Sequence, residues 1–281
     1  MITMTNAMHI HTTLASLNNR KCVIFCGDEQ QQQPFSRDEQ ITKTFFDDPY
    51  LKQAVSTHNL NLQLRCTDGE LNNFLNHIRH WKPTRTMLDA FCQSNTLYAT
   101  QNVTDKQIID AMTTHSVALF LTYTNEAVHH INTLAMKHLF YQEDPAIVCN
   151  LDNSTETTML YVGALLCITE NRDKKKGFVN GTVGTLHSVE NHTILLKTKI
   201  NVLIRIYPIT NKNETLYYPL RLAYATTIFK SQGQTIDKGI LWFDAPALPS
   251  GCGYVAVSRF KNKCDLNFLT KPTPSHFIPK L

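Results

Sequence analysis

The 281-residue sequence contains no G-x-x-x-x-G-K-[ST], so no glycine-rich loop within it can cradle the β- and γ-phosphates of a nucleotide. It contains no C-x-x-C either. Its eight cysteines (Cys22, Cys26, Cys66, Cys92, Cys149, Cys167, Cys252, Cys264) are scattered, several of them inside apolar runs such as "CVIFC" and "LLCI". That usage argues against a zinc site or a disulfide framework and for reduced, buried, inert thiols. No apolar run approaches the ~20 residues that span a bilayer. The start, "MITMTNAMHIHTTLASL", has no basic segment followed by a greasy one. A soluble, intracellular chain with no membrane partner is the expectation. Charge is sparse too: the formal net charge is +4 with 18% charged residues, compatible with a polyanionic partner and equally with an ordinary enzyme. There is no internal repeat, and the glutamine run Gln30 to Gln33 is too short to be low complexity.

What is present is enough apolar material for two cores: 42% of the residues are hydrophobic, and single cores stop growing well before ~300 residues. "CVIFCGDEQQQQP" reads as a strand buried on both faces that ends in a polar loop. "TDGELNNFLNHIRHW" places Thr67 and Glu70 in capping-box spacing and Leu71, Phe74, Leu75 and Ile78 on one face, which predicts a helix. A second box, Thr104 with Gln107, opens another helix, followed by the strand "VALFLT". In "TNEAVHHINTLAMKHLF" the spacing of Val128, Ile131, Ala135 and Leu139 predicts a helix capped by Asn125. This alternation means α/β with a mainly parallel sheet. Between Val162 and Tyr218 the texture changes to short β-type runs separated by "KKKG", "NG", "ENH" and "NKNE", the pattern of a small antiparallel barrel inserted into the α/β domain. Buried-strand style resumes from Pro219.

Four polar clusters sit at strand ends, where α/β sheets place ligand sites. In "GDEQQQQP", Gly27 lets the backbone turn, Asp28 suits a magnesium-water network, and Gln31 can orient a water or sense a terminal phosphate. Arg65 ends "LNLQLR" just before a helix. In "TTIFKSQGQT", Gly233 permits close approach to phosphate and the hydroxyls of Thr226, Thr227 and Ser231 can meet a nucleic-acid backbone. Arg259, in "GCGYVAVSRF", suits a guanidinium that reaches a phosphoryl transition state. Each alone reads equally well as a polar loop or an exposed arginine.

In this order the clusters resemble the carboxy-terminal half of a superfamily-one DNA helicase of the Pif and RecD kind. "CGDEQQQQP" is similar to that family's G-D-x-x-Q-x-x-P, "LNLQLRCTDGELNNFLNHIR" to its fourth motif, and "LFLTYTNEAVHHIN" to its T-N-x-x-V-x-x-I-N element. "FVNGTVGTL" resembles an N-G-T-x-G turn in the family's inserted barrel, and "LRLAYATTIFKSQGQTID" and "GYVAVSRFKNKCDL" resemble the fifth and sixth motifs. Cys66, Gln32 and Phe229 depart from the family's usual glutamine, leucine and histidine. The resemblance implies a RecA-like P-loop NTPase motor fold with a partial first domain (1–58), a second domain (59–161 and 219–281) and an inserted small β-barrel (162–218).

It implies that Gln31, Arg65 and Arg259 are catalytic, and that Gly27, Asp28, Gln232 and Gly233 line an ATP site. Thr122, Thr124, Asn125, Thr227 and Lys230, with the hairpin at Asn180 and Gly181, would contact single-stranded DNA. ATP and Mg²⁺ would act only with an N-terminal part that supplies the phosphate loop and acidic pair, possibly a fragment in trans. The implied polarity is 5′ to 3′ and the implied setting is a nucleus. The expectation is a chain that hydrolyses ATP slowly or not at all by itself. The rival expectations are a non-catalytic nucleic-acid-binding or regulatory module and a nucleotide-independent interaction protein.

Overall fold

The structure, a computed structural model, describes residues 64–280 apart from 101, 117, 153 and 155, together with Asp28, Gln31 and His58. The strand expected in "CVIFC", Gly27 and nearly all of the segment 1–58 lie outside the described residues.

Helix α1 (Gly69–His80) buries Leu71, Phe74, Leu75 and Ile78, the face its spacing predicts. Its cap differs from the one expected. Asp68, not Thr67, accepts the Leu71 N–H at 2.9 Å, because a carboxylate at a helix N-terminus also meets the positive end of the helix dipole. The Thr67 hydroxyl donates instead to Asn262. Helix α2 (Arg85–Cys92), strand β1 (Thr96–Tyr98) and helix α3 (Asp105–Thr114) follow, and α3 opens with the Thr104–Gln107 capping box read from the sequence. Strand β2 (Leu119–Thr122) leads into helix α4 (Asn125–Leu139), which buries Ala127, Ile131, Asn132, Ala135 and Met136. Leu139, expected in that stripe, is 42% exposed. The cap is Thr124, whose hydroxyl accepts the Ala127 N–H at 3.1 Å, so Asn125 becomes the first helical residue.

An antiparallel ribbon of β3 (Ile147–Asn150) and β4 (Thr157–Leu160) precedes the insertion. The insertion holds β5 (Leu165–Ile168), β6 (Val183–Glu190), β7 (Thr193–Thr198), β8 (Leu203–Ile206) and the short pair β9 (Ile209–Thr210) and β10 (Leu216–Tyr217); β11 (Leu220–Leu222), just beyond residue 218, pairs with β5. Where a barrel was expected, the pairing is an antiparallel five-stranded sheet in the order β11-β5-β6-β7-β8. A bulge between Leu186 and Ser188 shifts the β6–β7 register, a device that curls a sheet.

The chain then returns through β12 (Ala225–Thr227), β13 (Gly239–Trp242), helix α5 (Cys252–Val257) and β14 (Leu266–Thr270). With β1 and β2 these strands form a parallel sheet in the order β1-β14-β13-β2-β12. Successive residues serve opposite faces. Phe120, Ile240 and Leu269 join a core that also contains Ile131 of α4 and Leu186, Ile194 and Ile206 of the insertion. Leu121, Leu241 and Phe268 join a second core with Phe74, Phe91 and Val255. A parallel sheet covered on both faces needs such near-continuous apolar strands.

Asn132 is a buried polar residue of α4, and its Oδ1 accepts the N–H groups of Tyr224 and Ala225, both at 3.1 Å. Asn132→Ala strands two buried donors and is expected to cost about 2–4 kcal/mol, read as a lower urea midpoint at unchanged slope. The thiols of Cys92 and Cys252 are buried and pushed up to about 12 by that burial, which makes them poor nucleophiles. Cys264 departs from the buried pattern: it is exposed, in the surface turn Lys263–Asp265.

Candidate functional site

The segment after β12 folds back on itself through side-chain locks. The Thr227 hydroxyl accepts the Lys230 N–H at 3.2 Å, and the buried Ser231 hydroxyl donates to the Ile228 carbonyl at 2.7 Å. Gly233 has φ +82° with open space where a Cβ would sit, so it is glycine for its backbone conformation. The next residues, Gln234 and Thr235, face the end of α5, and the Ile236 N–H donates to the Arg259 carbonyl at 2.9 Å.

Arg259 is 1% exposed. Its Nε donates to the Val255 carbonyl at 3.0 Å, its Nη2 to Ser258 Oγ at 2.8 Å and its Nη1 to the Gln234 carbonyl at 3.5 Å. Arg65 arrives from the far end of the sequence: its Nη1 donates to the Ser258 carbonyl at 2.9 Å and its Nε to Thr235 Oγ1 at 3.1 Å. The two arginines read from the sequence therefore meet on one residue, Ser258. Burial first, and then the like charge of Arg65, pull the Arg259 guanidinium down to about 10. It stays protonated at neutral pH, so the site concentrates two positive charges where an anion would relieve their repulsion.

Asp28 and Gln31 reach the same region. Gln31 Nε2 donates to Asp28 Oδ2 at 3.2 Å. The Asp28 carboxylate is gripped by Arg79 through Nη2–Oδ1 at 2.9 Å and Nη1–Oδ2 at 3.2 Å. Arg79 Nη1 also donates to Tyr254 Oη at 2.8 Å. The sequence reading assigned Asp28 to a magnesium-water network, whereas here its carboxylate is engaged by an arginine. Arg79 and Tyr254 were missed because Arg79 reads as an ordinary polar residue of its helix and Tyr254 lies in an apolar run. Gln232 is half-buried and its N–H donates to the Phe229 carbonyl at 3.2 Å.

A second feature is a groove of about 540 Å³ between α4, the β3–β4 ribbon and β12. Asn125, Thr227 and Lys230 line it together with His129, Thr158 and Arg221. Three of the residues expected to touch a nucleic-acid backbone thus share one wall. His129 and Arg221 were not singled out, although His129 lies four residues after Asn125 and so on the same helix face. Thr122 and Thr124 do not face the groove. Thr122 is fully buried and donates to the Thr124 carbonyl at 3.1 Å. The Thr124 hydroxyl donates to Asp244, which also accepts the Tyr123 N–H at 2.7 Å. These threonines fix the turn that presents Asn125. Asn180 and Gly181 lie away from this wall, and Gly181, at φ +91°, approaches the Gln234 side chain.

Among the described residues, no group of three or more His, Cys, Asp or Glu could hold a metal ion.

No protein-family model matches the chain. Among curated proteins it is 32% identical over 124 residues to the ATP-dependent DNA helicase Pif1 of Bdellovibrio bacteriovorus, covering 41% of this chain and 28% of that protein. It is 23% identical over 259 residues to the ATP-dependent DNA helicase PIF1 of Danio rerio, covering 85% and 39% respectively. The chain therefore spans well under half the length of these relatives. Among solved structures it resembles a Pif1 helicase described in DNA unwinding at forked duplexes, with TM-score 0.57 and 26% identity over 77% of this chain and 50% of that one. It also shares its fold with Bacteroides Pif1 in complex with ADP-AlF3 and single-stranded DNA, with TM-score 0.58 and 24% identity over 77% and 52%.

Proposed function

We propose that the chain, which is similar to Pif1 helicases over part of their length, is the rear half of an ATP-dependent 5′–3′ DNA helicase acting in replication, recombination or repair. The observation that supports this most directly is the convergence of Arg65 and Arg259 on Ser258. In this reading residues 1–58 belong to a first RecA-like domain, 59–161 and 219–281 form the second, and 162–218 form the inserted, barrel-type module.

The residues present fit one side of a nucleotide cleft. Arg65 and Arg259 would meet the outer oxygens of a triphosphate, Gln31 would sense its terminal group, and Gln232 with Gly233 would bound the space beside it. Magnesium, when bound, neutralises charge on the β- and γ-phosphates; the phosphate cradle would come from outside these residues, since the sequence has no G-x-x-x-x-G-K-[ST]. Closure of the cleft brings the buried guanidinium of Arg259 to the anion, exchanging its carbonyl acceptors for phosphate oxygens. By itself the chain hydrolyses ATP slowly or not at all.

Single-stranded DNA would run along the groove, with Asn125, Thr227 and Lys230 on sugar and phosphate. Lys230→Ala is expected to weaken binding of a labelled oligonucleotide about three- to tenfold, whatever its sequence, and to reduce the slope of log K against log salt by about 0.7. Fluorescence anisotropy at several salt concentrations reads both. Unchanged affinity and slope would remove the groove from the DNA path.

The absence of a phosphate-loop motif also favours a second reading, a non-catalytic single-stranded nucleic-acid-binding module. It predicts a DNA affinity that ATP does not alter even when the phosphate loop is supplied separately.

A further inference from the structure

Arg79 ties Asp28 to helix α5, which ends just before Ser258 and Arg259. It stands in the last turn of α1, beside the buried Ile78, with its side chain 35% exposed and that of Asp28 21% exposed. Its fork closes on both oxygens of Asp28 while one nitrogen continues to Tyr254 Oη. The guanidinium carbon also lies 5.6 Å from the Tyr254 ring centroid. Tyr254 is wholly within the second core, and its carbonyl accepts the Ser258 N–H at 2.9 Å. Ser258 in turn holds Arg65 by its carbonyl and Arg259 by its hydroxyl. A continuous series of contacts thus runs from Gln31 through Asp28, Arg79 and Tyr254 to the two arginines.

The charges follow the same path. Tyr254 and Asp28 both favour the charged form of Arg259, against burial and Arg65. Arg79 itself is desolvated, yet its affinity for the proton is raised by Tyr254 and Asp28. A bidentate, half-shielded pair with a fixed third partner has the geometry of a positioning device rather than of a surface ion pair.

We propose that Arg79 is a positioning residue that latches Asp28 and Gln31 onto helix α5, which ends just before Ser258 and Arg259, so that the phosphate-sensing glutamine and the two arginines are held in one register. This rests on the proposed function for the identity of the cleft, but the latch itself is a property of the chain. It also gives Asp28 a task apart from any metal: its carboxylate is the catch of the latch.

The test is hydrogen–deuterium exchange on the 281-residue chain, followed in peptides containing Asp28 and Gln31 and in peptides covering 252–260. Arg79→Met and Asp28→Asn are each expected to raise exchange in both sets on the order of tenfold, the scale of losing a charge-assisted hydrogen bond. Arg79→Lys should lie between, because a lysine keeps the charge but not the fork. The exchanged pair Asp28→Arg with Arg79→Asp should return both sets toward wild type, a rescue that mere loss of packing does not give. Tyr254→Phe should raise exchange at Asp28 less than Arg79→Met does. Exchange within twofold of wild type at Asp28 and Gln31 in Arg79→Met would overturn the latch, as would failure of the exchanged pair to rescue while both single variants remain folded by circular dichroism. Titration with a fluorescent ATP analogue, in the presence of a separate polypeptide that supplies the phosphate loop and acidic pair, keeps the two ideas apart: no nucleotide binding by any such mixture sinks the reading of the cleft and leaves the exchange result standing.

Discussion

Arg259→Ala lowers ATP turnover by about a thousandfold in a motor reassembled from this chain and a separate polypeptide supplying the phosphate loop and acidic pair. The wild-type mixture is expected to hydrolyse ATP in a DNA-stimulated manner, and the chain alone to be slow or inactive. The size of the effect follows from what phosphoryl transfer requires. There is little covalent chemistry for the protein to do, so rate comes from placing positive charge where negative charge develops. Arg259 is well suited, since its charge survives burial and its Nε and Nη2 are already oriented by Val255 and Ser258. Apparent ATP affinity should change far less than turnover. Arg259→Lys should behave almost as badly as alanine, because the compact ammonium cannot reproduce the fork. Full turnover in Arg259→Ala would refute the assignment; vigorous hydrolysis by the chain alone, abolished by the same change, would refute its dependence on a second polypeptide.

Gly253→Ala is expected to cost about 3 kcal/mol of stability. In an open helix this substitution would help by about 1 kcal/mol. Here the added methyl carbon would sit 2.2 Å from the His276 carbonyl oxygen and 2.8 Å from the Phe277 ring. Neither can yield easily: the oxygen is backbone, and Phe277 is 1% exposed in the second core, stacked edge-on against Phe74 and Phe243. Helix α5 must therefore shift, carrying Ser258 and Arg259 with it. Urea unfolding measures the cost, and a midpoint equal to wild type would show that the contact relaxes.

The parallel sheet, its helices and the run of antiparallel strands were legible because each leaves a short-range signature: apolar runs for doubly covered strands, the Thr104–Gln107 box for α3, polar turns for the antiparallel strands. The Arg65–Arg259 convergence was legible through motif resemblance. What the sequence did not disclose were relations between distant residues. The caps fell to Asp68 in α1 and Thr124 in α4, and residues far along the chain take part at both: Asn262 accepts the Thr67 hydroxyl and Asp244 accepts the Thr124 N–H. Thr122 and Thr124 looked like ligand hydroxyls and are spent on the fold. Arg79 was not singled out, since its partners Asp28 and Tyr254 lie 51 and 175 positions away. No local period encodes such a meeting.

The joint between Tyr123 and Asp244, 121 positions apart, bears on how the molecule comes off the ribosome. Strand β2 is made early, yet both its neighbours, β12 and β13, are synthesised only after the whole insertion. Until then its Phe120 and Leu121 have no sheet to enter, and their exposed edges are free to pair wrongly. Nascent chains of this protein should consequently be clients of holding chaperones until the last strands emerge, with the antiparallel insertion acquiring order first.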